Sequence, residues 1–83
     1  MSRVKVESRR INNKFRVVYE LLLENEEYAI SCSELTLEGE MLDSCCVRDI
    51  SPNEKYANEI FETIVKNRVC ACTLYDVICD LIC

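Results

Sequence analysis

The chain has no histidine and no tryptophan, one glycine and one proline, and only 7% aromatic residues among its 83 positions. Without histidine, the Ser-His and Cys-His nucleophile pairs are excluded. With a single glycine there is no Gly-rich loop to cradle a phosphate. The scarcity of both Gly and Pro argues against disorder and against a loop-rich scaffold. No stretch approaches the roughly 18 consecutive apolar residues that a membrane span needs. No Asn-x-Ser/Thr sequon occurs. Residues 1–20 carry Arg3, Lys5, Glu7, Arg9, Arg10, Lys14 and Arg16 instead of an apolar run of signal length. These absences lead us to expect a cytoplasmic protein that does not enter a membrane.

Cysteine, by contrast, is abundant, with seven at positions 32, 45, 46, 70, 72, 79 and 83. The count is odd, Cys45 and Cys46 are adjacent, and no export signal is expected. We therefore read them as reduced thiols. Cys32, Cys45 and Cys72 fit small core positions. Cys70, Cys72, Cys79 and Cys83 come closest to a metal pattern. Yet at about 1.5 Å rise per residue, Cys79 sits roughly 9 Å along the helix expected from Thr73. Cys70 and Cys72 would have to fold back along it to share a metal. The spacing is not a common zinc spacing either. We assign no metal, no cofactor and no catalytic residue.

The net charge of −5 conceals an asymmetry. Residues 1–19 hold six basic and one acidic side chain, a net +5. The remainder holds four basic and fourteen acidic, a net −10. The basic segment suits a solvated sheet edge. It also suits an anion-binding strip, or a positive patch that meets an acidic patch on a second copy. Direct nucleic-acid binding is not expected, because Phe15 and Tyr19, the aromatics of that segment, belong to an inward stripe.

Apolar residues change period at Ile50-Ser51-Pro52-Asn53-Glu54. Before this junction they alternate as strands do; after it they recur every three or four residues as helices do. Strands are expected over about 3–8, 14–24, 28–37 and 41–48. Asn12-Asn13 should turn the chain with the positive φ that Asn tolerates. Glu24–Glu27 and Glu38-Gly39-Glu40 supply the next turns. Phe15, Val17, Tyr19, Leu21 and Leu23 share one face of the second strand, while Cys45 and Val47 point inward from the fourth. A helix over about 52–67 should start with Ser51 as cap, Pro52 in the first turn and Glu54 closing a capping box. Its stripe is Tyr56, Ala57, Ile60, Phe61, Ile64 and Val65, with Asn67 as a left-handed C-cap. A second helix over 73–82, boxed by Thr73 and Asp76, presents Leu74, Val77, Ile78, Leu81 and Ile82. The expected fold is α+β: an antiparallel meander of three or four strands, then two C-terminal helices packed on one sheet face, all within residues 1–83.

Two surfaces stand apart from that core. Val18, Leu22, Ala29, Leu35, Leu37 and Leu42 fall on the sheet face opposite the core stripe, and a contiguous apolar face of this kind marks an interface. Asp76, Cys79 and Asp80 lie opposite the second helix's apolar stripe. Asp80 there opposes the helix dipole, which marks a docking surface.

Val47-Arg48-Asp49-Ile50-Ser51-Pro52, then Asn67-Arg68-Val69 leading to Leu74-Tyr75-Asp76-Val77-Ile78-Cys79-Asp80, resembles a family of small bacterial proteins of unknown function, found mainly in clostridia-like anaerobes. Tyr19-Glu20-Leu21-Leu22 and Tyr28-Ala29-Ile30 are similar to its early strand motifs. The resemblance covers residues 17–82. It implies a compact cytoplasmic α+β domain and carries over no catalytic residue. The chain departs from the pattern at Cys70, Cys72 and Cys79, where the family has small, apolar or acidic residues.

The sequence thus favours a non-enzymatic interaction or regulatory module with a protein partner or a second copy of itself. Two other classes stay open. One is an acidic inhibitor that mimics nucleic acid through Glu24, Glu26, Glu27, Glu38, Glu40, Asp76 and Asp80. The other is a thiolate metal or redox-responsive protein.

Overall fold

The computed structural model describes residues 2–82. Strands β1 (Ser2–Arg10), β2 (Phe15–Glu24), β3 (Glu27–Thr36) and β4 (Met41–Ser51) precede helix α1 (Glu54–Lys66), a 3-10 turn (Ala71–Thr73) and helix α2 (Leu74–Ile82). The strands pair in sequence order, each antiparallel to the next. Both helices pack on one face of this meander, as the change of period predicts. Val17, Tyr19, Leu21, Ile30 and Cys32 from the sheet join Phe61, Ile64, Leu74 and Ile78 from the helices in one buried cluster.

Each turn closes by its own chemistry. Neither Asn12 nor Asn13 has positive φ. Instead the Asn12 Oδ1 accepts from the N–H groups of Lys14 (2.7 Å) and Phe15 (3.2 Å), a side chain standing in for a backbone turn. Asn25 and Glu26 both adopt left-handed backbone, φ 51° and 67°. A two-residue hairpin needs that to match strand twist. In the third turn Gly39 has φ 95°, and its N–H donates to the Thr36 carbonyl at 2.9 Å. An added Cβ at Gly39 would meet nothing within 4 Å, so any penalty there is purely conformational. Gly39→Ala should therefore destabilise the fold by about 1–2 kcal/mol without a steric clash. Chemical denaturation checks this; an unchanged midpoint would contradict it.

The helix boundaries differ from those expected. Asn53, not Ser51, caps α1, its side chain accepting from the Tyr56 N–H at 2.9 Å. Strand β4 runs through Ser51, whose Oγ accepts from the Asn53 N–H at 3.0 Å. Pro52 therefore precedes the helix. Glu54 closes no box and accepts from the Tyr28 hydroxyl at 3.2 Å. At the other end Asn67 is not left-handed; Arg68 is, at φ 49°. The N–H of Arg68 bonds the Val65 carbonyl and that of Val69 the Ile64 carbonyl, the paired pattern of a Schellman ending. This ending turns Val69 into the core. Its carbonyl then accepts from the buried Tyr19 hydroxyl (2.9 Å) and the Cys32 thiol (3.6 Å).

The Thr73–Asp76 box does not form either. Thr73 closes the preceding 3-10 turn, with both its N–H and its hydroxyl on the Cys70 carbonyl. The free N–H at the head of that turn, on Ala71, is satisfied from the sheet by Glu34 at 3.0 Å. Only the first two turns of α2 are covered. Leu74 and Ile78 are buried and Val77 half-buried, but Leu81 and Ile82 are about two-fifths exposed. The expected stripe thus runs out where α2 overruns the core, and Leu81 lines a shallow groove with Tyr56 and Ile60.

The sheet has two edges, β1 and β4. On the helix side of β1, Lys5 bonds Glu62 and Asn58 and stands 5.9 Å from the Phe61 ring centre. Strand β4 slips register twice against β3. Leu42 is the extra residue at one slip. At the other, Asp49 takes φ 54° and Ile50 turns inward to become buried.

Candidate protein-interaction face

Because both helices pack on one face, the alternate residues of every strand point the other way. The strand pairings arrange them in rows. Arg10, Arg16, Leu35 and Met41 form the first row; Ser8, Val18, Ser33 and Ser44 the second. Val6, Glu20, Ser31 and Cys46 follow, then Arg3, Leu22 and Ala29. Glu24 and Glu27 close the face at its far end.

Val18, Leu22 and Leu35 share this face, as their alternation predicts, and each is half-buried, with Glu20 standing between Val18 and Leu22. Leu37 lies beyond the end of β3, 43% exposed. Leu42 does not take its expected place. The β4 slip puts Met41 opposite Leu35, with Met41 60% exposed. Sequence alternation missed this because one inserted residue reverses the parity of a strand.

The face is also charged, in a pattern that only register reveals. Arg10 lies directly across from Arg16, and Glu24 directly across from Glu27. Like charges in direct cross-strand opposition are destabilising. Arg3 pairs with Glu20 at 3.3 Å, and Arg48 reaches Glu24 at 3.7 Å. Among the described residues Arg10 bonds the Asn12 carbonyl and the Asn13 side chain and no carboxylate. Arg16 forms no ion pair among the described residues, and its Nε is buried without a hydrogen-bond partner.

Asp76, Cys79 and Asp80 do not join this face, since α2 packs on the opposite side of the sheet. Asp76 and Asp80 are exposed, but Cys79 is half-buried, not on an open helix surface. Its thiol neighbours the Tyr75 phenol and holds that phenol's pKa above its ordinary value.

The thiols are dispersed. Cys70 is half-buried and Cys72 exposed, which removes Cys72 from the expected core, while Cys83 lies outside the described residues. Among the described residues no three Cys, Asp or Glu side chains gather to hold a metal ion. Burial pushes the Cys32 thiol up to about 12, and the carboxylate of Glu34 adds to this. Burial also raises Cys45 and Cys70. The acidic residues of the turns are divided between opposite ends of the sheet, Glu24, Glu26 and Glu27 at one and Glu38 and Glu40 at the other. Among the described residues no helix is long and apolar enough to cross a membrane.

No curated protein and no solved structure matches this chain. A family model described as a family of unknown function, DUF6514, matches residues 1–83, and the chain belongs to that family.

Proposed function

We propose that this protein is a small, non-enzymatic interaction module of the regulatory kind, which self-associates through the open face of its sheet. One observation carries the reading. The helices occupy a single sheet face, while Val18, Leu22 and Leu35 on the other continue into the exposed Met41. An uncovered sheet face that mixes apolar and charged side chains suits a protein contact. The raised pKa values of Cys32, Cys45 and Cys70 keep these thiols protonated and poorly nucleophilic, which supports a role without catalysis. The six described cysteines carry no disulfide. That is in keeping with a reducing, cytoplasmic setting, and the resemblance of its strand motifs extends the reading to clostridia-like bacteria.

Light scattering on the purified chain at rising concentration tests the proposal. The mass should climb from one copy toward two, and Leu22→Lys should hold it at one. A chain that stays monomeric throughout, with Leu22→Lys making no difference, would sink the reading.

A further inference from the structure

The open face carries two like-charge pairs of opposite sign at its two ends. Arg10 and Arg16 stand together where β1 meets β2, and Glu24 and Glu27 stand together where β2 turns into β3. Within one copy each pair sets like charges side by side; Arg48 reaches Glu24 at 3.7 Å, but Arg16 forms no ion pair among the described residues. From this we infer that the occupant of the face is a second copy laid on it antiparallel, so that Arg16 of each copy meets Glu24 of the other. The inference rests on the self-association proposed above and adds the arrangement.

Charge decides between the two ways of laying one sheet on another about a two-fold axis. An axis parallel to the strands keeps each row over its own counterpart. Because this axis reverses the order of the strands, Arg16 would then face Leu35 of the other copy and gain no carboxylate, while Glu24 would face Glu27. An axis across the strands reverses them. Each strand then lies over its own counterpart reversed, so Arg16 of one copy comes over Glu24 of the other, beside the turn that Glu26 makes more acidic still. Centred on Glu20, this axis sets Val18 against Leu22 of the other copy on both sides. The row that meets itself is Val6, Glu20, Ser31 and Cys46. Its one charge, Glu20, is already paired with Arg3 at 3.3 Å. Ser31, Ser33, Ser44 and Ala29 are small, so the sheets can close on one another.

The area suffices. With strands about 4.8 Å apart and a rise of about 3.4 Å per residue, four strands across and eight residues along give about 500 Å² per copy. Two copies bury about 1,000 Å², the lower bound of specific interfaces, and the pair should be reversible. Arg16, which forms no ion pair among the described residues of its own copy, gains a carboxylate.

The test is sedimentation equilibrium of the wild type, Arg16→Glu, Glu24→Arg and the double variant, from about 10 µM to about 1 mM. Each single reversal should weaken dimerisation at least tenfold, roughly the effect of like charges forced together at an interface. The double variant should return to within about threefold of the wild type, because the pair is restored with its signs exchanged. Misfolding does not confuse the result. Arg16→Glu relieves the repulsion with Arg10, so thermal melting of the dilute chain should be at or above the wild type even as dimerisation fails. A dimer that ignores the single reversals, or that the double variant does not restore, overturns the antiparallel arrangement while leaving self-association standing. A wild type that remains monomeric overturns the self-association reading, and this arrangement with it.

Discussion

Phe61→Ala should destabilise the fold by about 3–5 kcal/mol, the usual range for emptying a buried aromatic site. Phe61 is completely buried and joins α1 to the sheet through the central cluster. A chain of this length has a total stability on the order of 4–12 kcal/mol, so the loss removes much of the margin. Two features keep the site from collapsing cheaply. Lys5 lies over the ring and is tied to Glu62 and Asn58. On the other side of the core the Schellman ending at Arg68 fixes Val69 through the Tyr19 hydroxyl. Urea denaturation followed by far-UV circular dichroism gives the value directly. A loss below about 1 kcal/mol, well under the range for a packed aromatic, would show that α1 does not seat here.

Alkaline pH should unfold the protein earlier than its charge alone predicts. The Cys32 thiol is fully buried and its pKa is pushed up to about 12 from 9.0. Between these values the unfolded chain has released a proton that the folded chain still holds. The unfolded state therefore binds fewer protons, and stability falls as pH rises. Below pH 9 the thiol is protonated in both states and contributes no slope. Above it, Cys32 alone removes up to about 1.4 kcal/mol per pH unit, until the folded thiol also ionises near 12. Cys45, Cys70 and Tyr19 shift in the same direction, each first through burial. Stability measured against pH should therefore be flat to about 8 and decline steeply beyond 9. Cys32→Ala should lower the plateau and flatten the decline. A decline of equal slope in the variant would remove Cys32 as its source.

The parts of the fold that were legible in the sequence are those where one periodicity repeats on a single element. Strand β2 was legible because Val17, Tyr19 and Leu21 recur at every second position and are buried on one face. Helix α1 shows its stripe because Ala57, Ile60, Phe61, Ile64 and Val65 all turn to the same core. What escaped the sequence depends on distant partners or on a single inserted residue. Glu34 heads the turn before α2 from a strand 37 positions away. Asn53 displaced Ser51 as the cap because β4 continues through Ser51 and uses it in the sheet. Arg68 took the left-handed position expected of Asn67, since the Schellman geometry needs it one residue later.

The same division holds for the open face of the sheet. Val18, Leu22 and Leu35 were visible from alternation. The cross-strand arginine and glutamate pairs needed the register, which the turns set. Leu42 was displaced by Met41, and Cys79 is half-buried where an open helix surface was expected.

The two irregularities of β4 reach beyond the placing of Ile50. An outermost strand whose outward-pointing amides and carbonyls form an unbroken unpaired row invites another chain to zip onto it, and growth of that kind has no natural stopping point. Asp49, bent into left-handed backbone, and the extra Leu42 interrupt that ladder near each end of the strand. Contact by flat apposition, by contrast, ends after two copies. The kinks would thus steer a cysteine-rich, partly greasy chain away from fibrils.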